Sequence, residues 1–151
     1  MPDFTLRTLT IDDYGAVFAL WQQTEGMGLN DSDKREAIAA FLDRNVGLSS
    51  VACTTQRLIV GAVLCGHDGR RGYLHHLAVS RAHRKQGIGR ALVNASLERL
   101  TALKIQKCSL FLFASNTAGR TFWLHQGWST REDIVLVQKE LKPGKSGGSN
   151  G

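Results

Sequence analysis

The sequence has few of the residues that stiffen or cross-link a small protein. It contains 2 prolines and 3 cysteines in 151 residues. Because the cysteines are odd in number and each lies within an apolar run, we expect buried, reduced thiols rather than a disulfide framework. No apolar run approaches the roughly 20 residues that cross a bilayer. The first residues, Met1-Pro2-Asp3-Phe4, carry an acid where a secretory signal has basic residues. We therefore expect a cytoplasmic protein that does not enter the membrane.

The composition lacks the bias of disordered, collagen-like or coiled-coil chains. Hydrophobic residues make up 42% of the sequence, charged residues 21% and aromatic residues 7%, which is ordinary for a globular protein. A chain of this length suits one domain with its own core. We place that domain at residues 1–142 and predict a disordered Gly/Ser-rich tail at residues 143–151.

Positive charge is concentrated in the middle of the chain. The net charge is +6. No acidic residue occurs from Gly69 to Leu97, and six arginines and lysines lie between Arg70 and Arg90, counting both ends. Such a cluster suits an anionic partner, either a phosphorylated cofactor or nucleic acid. Because the sequence has no helix-turn-helix signature, no RNP aromatics and no basic stripe along a helix, nucleic acid is the weaker alternative.

Hydrophobic periodicity predicts helices and strands in alternation. Strands are predicted at residues 4–10, 50–54, 57–65, 73–79, 107–113 and 133–141, and helices at 11–24, 32–45, 88–103 and 118–126. The order is β-α-α-β-β-β-α-β-α-β. The strands at 73–79 and 107–113 flank a helix, so they should be parallel and joined by a right-handed crossover. We expect an α/β protein with a mixed sheet and helices on its faces.

A basic segment between the strand at 73–79 and the next helix carries the clearest chemical signal. It reads Arg84-Lys-Gln-Gly-Ile-Gly-Arg90. A helix N-terminus offers unpaired N–H groups and partial positive charge, and glycines allow an anion to approach the backbone. The pattern is neither the Walker nor the Rossmann motif. It predicts a pyrophosphate site; the alternative is a solvated basic turn that only starts a helix.

Two separated motifs resemble the GNAT family of N-acetyltransferases. Arg84-Lys-Gln-Gly-Ile-Gly89 resembles the family signature Arg/Gln-x-x-Gly-x-Gly/Ala, and Asn116-Thr-Ala-Gly-Arg-Thr-Phe-Trp-Leu-His-Gln-Gly-Trp128 resembles its second motif, Asn-x-x-Ala/Gly-x-x-Phe-Tyr-x-x-x-Gly-Phe. The resemblance extends over residues 4–141. It implies the GNAT acyl-CoA N-acyltransferase fold. It also implies transfer of an acetyl group from acetyl-CoA to a primary amine by direct attack in a ternary complex.

The resemblance also implies which residues hold acetyl-CoA. Main-chain N–H groups of Arg84, Lys85, Gln86, Gly87, Ile88, Gly89 and Arg90 would bind the pyrophosphate. The main chain of Leu77, Ala78 and Val79 would pair with the pantetheine arm as an added strand does. Asn116 would contact the pantetheine or its thiol end. The thioester would lie where the two parallel strands separate.

Catalysis needs a neutral amine and a stabilised oxyanion. The backbone N–H of Val79 is our candidate oxyanion donor. His75 stands where several family members carry Glu, and it is our first candidate for the base, acting through water, with His76 in reserve. The alternative is that both imidazoles only pack in the sheet. Strand alternation puts them on opposite faces unless a bulge intervenes.

One departure from the family concerns the leaving thiolate. The position of the usual tyrosine acid is Trp123, whose indole N–H has no useful acidity. Either the thiolate leaves unassisted, or another residue such as Tyr14 or Tyr73 protonates it. A non-catalytic acyl-CoA sensor is therefore a second candidate function.

The acceptor and the assembly are left open by the sequence. A small amine, an amino acid, an amino sugar, or a protein N-terminus or lysine are all candidates, and homodimers are common in the family. Glu25, Asp31 and Asp33 lie in the region that walls the family's acceptor site, where they would attract a cationic amine or simply cap a helix. The histidines near His67 match no zinc spacing, so we expect no metal and interpret His67-Asp68 as a turn element.

Overall fold

A computed structural model describes residues 3–141 of the chain, and the tail predicted at 143–151 lies outside them. The strands are β1 (Phe4–Thr8), β2 (Ser50–Thr54), β3 (Ile59–His67), β4 (Gly72–Val79) and β5 (Cys108–Ser109), and the helices are α1 (Tyr14–Gln22), α2 (Arg35–Arg44), α3 (Ile88–Ala102) and α4 (Thr117–His125). Short 3-10 turns precede α1, α2 and α3 at Ile11–Asp13, Asp31–Asp33 and Arg81–His83. The predicted α/β class is confirmed, as is the order of elements from β1 to α4.

The five strands form one mixed sheet in the order β1-β2-β3-β4-β5. The first four strands are antiparallel, and β4 and β5 are parallel, as the crossover predicted. Within the described residues, β4 and β5 pair only at Gly72–Cys108 and Tyr73–Ser109. Beyond Tyr73, β4 therefore has no paired strand on its β5 side among residues 3–141, and we call this its open edge. The strand predicted at residues 107–113 is correspondingly short.

Two glycines allow α3 to lie close against the sheet. A Cβ on Gly72 would come within 2.6 Å of Leu100 Cδ1, and one on Gly61 within 2.9 Å of Ile88 Cγ2. Ile88 is 2% exposed and is the first residue of α3. Because its side chain packs over Gly61 of β3, the sheet fixes where α3 begins.

A bulge in β4 changes which residues face the helices. Leu64 pairs with His75 and Ala62 with Ala78, so β4 has one residue more than β3 across this stretch. His76 has φ 53°, in the left-handed region. His75 contacts α2, and His76 contacts α1. Both helices pack on the same core, which also contains Ala78. The bulge that the sequence analysis left open is therefore present, and it resets the alternation beyond His75 and brings both imidazoles to one face.

The chain divides into two compact units, Met1–Thr117 and Ala118–Gly151. The second unit contains most of α4, where Trp123 packs edge-on against Phe122 and Trp128, with ring centroids 5.1 Å and 4.9 Å apart. The strand expected at 133–141 is wrong for the described residues, which have no strand after β5. The apolar side chains from Ile134 to Val137 are 59–85% exposed. An alternating apolar pattern forms a strand only where a partner strand pairs with it, and the described residues of this unit contain no strand.

Within residues 3–141, no helix combines the length and the apolar character needed to cross a bilayer.

Candidate active site

The basic loop, residues 84–90, has a main-chain shape suited to an anion. Lys85 has φ 64° and Gly87 has φ 84°. Left-handed residues in such a loop turn successive N–H groups toward a common concavity. Gly87 is the N-cap of α3 and supplies no side-chain cap, and a Cβ added to it would meet nothing within 4 Å. The loop thus presents open backbone donors at the N-terminus of a 15-residue helix.

Arg84 connects the basic loop to β4 and to the segment after α1. Its Nε donates to the carbonyl oxygen of Val79 at 3.1 Å, and its guanidinium pairs with Glu25 at 3.0 Å. Arg81 lies 3.5 Å from the same carboxylate. The hydrogen bond from Arg84 is the main cause that lowers the pKa of Glu25 to about 2. Glu25 therefore stays ionised and neutralises part of the positive charge of the loop.

The other residues predicted to hold a cofactor lie in two places, on β4 and beside the segment after α1. Leu77, Ala78 and Val79 lie on the part of β4 that has no β5 partner among the described residues. Ala78 is 2% exposed, so its methyl group belongs to the core. Asn116 lies beside the segment after α1, since a Cβ on Gly26 would be 3.0 Å from its Nδ2. The open edge of β4 leads directly into the basic loop.

His75 lies among aromatic rings. Its imidazole is edge-on to Phe41 at 5.9 Å and parallel to Tyr73 at 6.4 Å between centroids. Burial is the main cause that lowers the pKa of His75; neighbouring His76 lowers it further and Asp33 opposes the shift. His75 is therefore neutral at neutral pH.

His76 has a carboxylate partner that the sequence analysis missed. Its Nε2 lies 2.8 Å from Oδ1 of Asp33, a residue 43 positions away in the chain. Asp33 is 5% exposed. The sequence predicts for Asp33 either attraction of an amine or a helix cap, and no local pattern links it to His76. The only available signal was its place next to a helix start, which does not reveal burial.

Asp33 belongs to a tightly bonded turn. Its Oδ2 accepts a hydrogen bond from the main-chain N–H of Asn30 at 3.0 Å, and Asn30 is the N-cap of the 3-10 turn Asp31–Asp33. The hydroxyl of Tyr14 donates to the carbonyl oxygen of Asp33 at 2.7 Å. Burial, followed by the charge of Asp33, raises the pKa of Tyr14. A hydroxyl so engaged is a poor proton donor near neutral pH.

The segment after β3 forms a hydrogen-bonded turn, as we interpreted it. Nδ1 of His67 accepts from the N–H of Gly69 at 2.9 Å. Oδ1 of Asp68 accepts from the N–H groups of Arg70 and Arg71, both at 2.8 Å. Among residues 3–141, no group of three or more His, Cys, Asp or Glu side chains is placed to hold a metal ion.

The thiols of Cys65 and Cys108 are unsuited to nucleophilic attack. Burial raises the pKa of Cys65 to about 11 and that of Cys108 to about 12. Cys53 is buried as well. A thiol is nucleophilic as the thiolate, so these raised pKa values argue against a covalent acyl-cysteine intermediate on Cys65 or Cys108.

Comparison with known proteins agrees with this geometry. The model of the acetyltransferase (GNAT) family matches residues 14–128, which include both imidazoles and the basic loop. An acetyltransferase of Pectobacterium atrosepticum is 31% identical over 137 residues, covering 91% of this chain and 96% of the relative.

Two solved structures share the fold. The PaiA N-acetyltransferase of Thermoplasma acidophilum, in complex with coenzyme A, has a TM-score of 0.74 at 16% identity, with 87% of this chain and 92% of that chain covered. An aminoglycoside acetyltransferase from an uncultured soil metagenomic sample, in complex with sisomicin, has a TM-score of 0.71 at 18% identity, with 93% and 97% covered. The sequence resemblance is thereby confirmed: this chain belongs to the acetyltransferase (GNAT) family.

Proposed function

We propose that this protein is an N-acetyltransferase that moves the acetyl group of acetyl-CoA to a primary amine by direct attack in a ternary complex. The observation that carries the proposal is the open edge of β4 running into the basic loop with its left-handed Lys85 and Gly87. This combination suits a ligand with an extended amide-bearing arm and a diphosphate. The coenzyme A complex of a protein with the same fold supports it.

The residues present fit such a ligand. Main-chain N–H groups of residues 84–90 would hold the diphosphate, and the side chains of Arg84, Lys85 and Arg90 add positive charge. The main chain of Leu77, Ala78 and Val79 would pair with the amide groups of the pantetheine arm. Asn116 would contact its thiol end. Acetyl-CoA supplies the acetyl group as a thioester.

The state of the thiols supports direct attack. Burial keeps Cys65 and Cys108 protonated at neutral pH, which favours the amine itself as the nucleophile. An amine reaches the site mainly as an ammonium ion and must lose a proton before it attacks. The imidazoles of His75 and His76, on one face of β4, are the candidate bases.

Binding the oxyanion and releasing the thiolate need little from side chains. The main-chain N–H of Val79 is our candidate to bind the oxyanion, since backbone donors fixed by a sheet need no reorganisation. The leaving group is a thiol with an ordinary pKa near ~8.5, so its thiolate departs without an acid. This agrees with Trp123 at the usual tyrosine position and with the raised pKa of Tyr14.

The acceptor class is a primary amine that reaches β4 from the solvent. The complex of the soil aminoglycoside acetyltransferase with sisomicin supports a small polyamine or amino sugar. An amino acid and a protein N-terminus or lysine are the other members of the class that the test includes.

The proposal is tested first by binding. Calorimetric titration with acetyl-CoA should give saturable binding to the wild type. It should give none to the double variant Arg84→Glu/Gly87→Asp, which places two carboxylates at the diphosphate. Circular dichroism on both proteins is the control for folding. A well-folded wild type that fails to bind acetyl-CoA would contradict the proposal.

Turnover is tested next with a thiol-release assay over a panel of amines. The panel holds polyamines, amino sugars, amino acids and peptides with free N-termini or lysines. Release of CoA that depends on one amine class identifies the acceptor. Binding of acetyl-CoA without turnover on any amine would instead favour the non-catalytic sensor.

A further inference from the structure

Asp33 has more partners than a capping residue needs. Its Oδ2 accepts the N–H of Asn30, which completes the cap of the 3-10 turn. Its Oδ1 is left over, and it lies 2.8 Å from Nε2 of His76. The carboxylate side chain is only 6% exposed. A buried charge requires a partner, and both oxygens of this one are committed, the second to an imidazole.

The turn that carries Asp33 is fastened to α1. Tyr14 donates its hydroxyl to the carbonyl oxygen of Asp33 at 2.7 Å. The Tyr14 ring in turn stacks on Phe18 of the same helix, with centroids 5.5 Å apart. The carboxylate is therefore fixed relative to the sheet by α1 as well as by its own cap.

His76 is held in a costly backbone conformation. A left-handed φ is unfavourable for a residue with a side chain, and strain of this kind concentrates at functional sites. The imidazole packs against the ring of Trp21, 4.8 Å between centroids. Among the described residues the buried indole N–H of Trp21 has no hydrogen-bond acceptor, so this contact is one of packing. Trp21 and Asp33 together fix the ring.

The contact with Asp33 decides which nitrogen of His76 is free. A carboxylate only accepts hydrogen bonds, so Nε2 must carry the hydrogen. In the neutral imidazole, Nδ1 then has the lone pair and is the basic atom. The His76 side chain is 20% exposed, so the ring is not sealed from solvent.

His75 differs from His76 in each of these respects. Within residues 3–141 its ring contacts are with Phe41 and Tyr73, and it has no carboxylate partner. An imidazolium at this position would feel the charge of Asp33 only at a distance, without a carboxylate in hydrogen-bond contact among the described residues. An imidazolium at His76 would lie against Asp33.

We propose that His76 is the base of the acetyl transfer and that Asp33 is its positioning residue, an inference that rests on the proposed function. Nδ1 of His76 takes one proton from the ammonium form of the acceptor. The nitrogen lone pair then bonds to the acetyl carbon, and the carbon–sulfur bond breaks with its electron pair on sulfur. The thiolate takes the second proton of the nitrogen, and His76 releases the first proton to water. The products are an amide, a thiol and one proton.

The pair is tested without turnover by ¹⁵N NMR of the histidine rings in the full-length protein. His76→Gln assigns the His76 signals. We expect the neutral ring to carry its hydrogen on Nε2 in the wild type, and to lose this preference in Asp33→Asn. The Nδ1–H tautomer in the wild type would overturn the inference, whether or not the protein acetylates an amine.

The catalytic assignment is tested by kinetics with the amine that the panel identifies. Asp33→Asn should lower kcat by about 10- to 100-fold, a part of what a positioned base contributes, while the KM for acetyl-CoA stays unchanged. Asp33→Glu, which restores the charge, should recover part of kcat. Asp43→Asn removes the same charge from an exposed residue of α2 and should not reproduce the loss.

A double-variant cycle separates positioning from general stability. If Asp33 acts through His76, Asp33→Asn should lower kcat no further in the His76→Gln background. If Asp33→Asn lowers kcat by the same factor in the wild type and in the His76→Gln background, the positioning role is overturned. A wild type that binds acetyl-CoA and acetylates no amine would remove the proposed function and the catalytic assignment together, whereas the NMR result would still decide whether Asp33 sets the tautomer.

Discussion

The basic loop and the His76 site are built by different means. The loop is one continuous segment, and main-chain conformation at Lys85 and Gly87 gives it its shape. His76 is held by side chains of other elements, Trp21 from α1 and Asp33 from the turn before α2. Backbone-built sites tolerate changes of side chain and depend on local conformation. A site built from distant side chains depends on the packing of the whole unit, so the two should respond to different substitutions.

The largest expected effect separates the two imidazoles. His76→Gln should lower kcat by about 100- to 1000-fold, the usual contribution of a general base. His75→Gln should lower it by less than about tenfold, because His75 packs among aromatic rings without a charge partner. Thiol-release kinetics measure both. Calorimetry should show acetyl-CoA affinity unchanged in either variant, and a larger loss of kcat in His75→Gln would reverse our assignment.

A second pair of variants tests the loop by conformation alone. Gly87 and Gly47 have φ values of 84° and 76°, and a Cβ at either would meet nothing within 4 Å. Alanine at each position carries a similar strain of about 1–2 kcal/mol. We expect only Gly87→Ala to weaken acetyl-CoA binding, by about tenfold as the loop relaxes from its left-handed shape. Its kcat at saturating acetyl-CoA should be retained.

Calorimetry on both glycine variants is the measurement, with thermal unfolding as the check that they are equally strained. Equal losses of affinity at positions 87 and 47 would mean that the backbone of the loop has no special role. The loop would then act through its side-chain charges only.

Local signals explain how much the sequence could predict. The basic loop was found because its glycines, its charges and the flanking strand and helix are consecutive in the chain. The parallel pairing of β4 and β5 followed from the crossover rule. The strand at 133–141 failed because alternation of apolar residues does not supply a neighbouring strand, and these residues are exposed.

The bulge and the partner of His76 are long-range features. One extra residue in β4 between His75 and Ala78 depends on how β3 pairs with it, and nothing in the sequence of β4 announces it. Asp33 comes to His76 only because α1, the following turn and β4 pack together. A chain of contacts of this kind cannot be read from spacing, since each residue alone has an ordinary local role.

A third prediction concerns stability apart from either site. Arg7 donates two hydrogen bonds to Asp13, at 2.8 Å and 2.9 Å, and Asp13 also accepts the N–H of Thr10. Asp13→Asn should lower the free energy of unfolding by about 1 kcal/mol, the usual cost of a lost cap or hydrogen bond. Acetyl-CoA affinity and kcat should not change. Altered kinetics would show that the start of α1 is coupled to the His76 site.

The pH dependence of unfolding tests whether the ion pair between Arg7 and Asp13 causes this loss of stability. The hydrogen bonds from Arg7 lower the pKa of Asp13 below its ordinary value. The folded state thus favours the ionised form of Asp13. The resulting stabilisation of the fold is fully present above the ordinary pKa of an aspartate and is lost as the pH falls through the lowered pKa. Denaturant titrations across this acidic range should show the wild type and Asp13→Asn converging. A constant difference at every pH would contradict the role of the ion pair.

The smallest expected effect lies between the two regions, at Glu25. This carboxylate pairs with Arg84, and its pKa of about 2 keeps it ionised at neutral pH. It therefore competes with the diphosphate for the same guanidinium. Glu25→Gln should raise acetyl-CoA affinity by about two- to fivefold, as expected for an exposed ion pair, and the gain should shrink as salt increases. Glu98→Gln removes the same charge from an exposed position on α3 and should raise the acetyl-CoA affinity less. Calorimetry at two salt concentrations distinguishes them: a loss of affinity in Glu25→Gln would mean that Glu25 orients Arg84 for the ligand, and the loop would then depend on a distant side chain as His76 does.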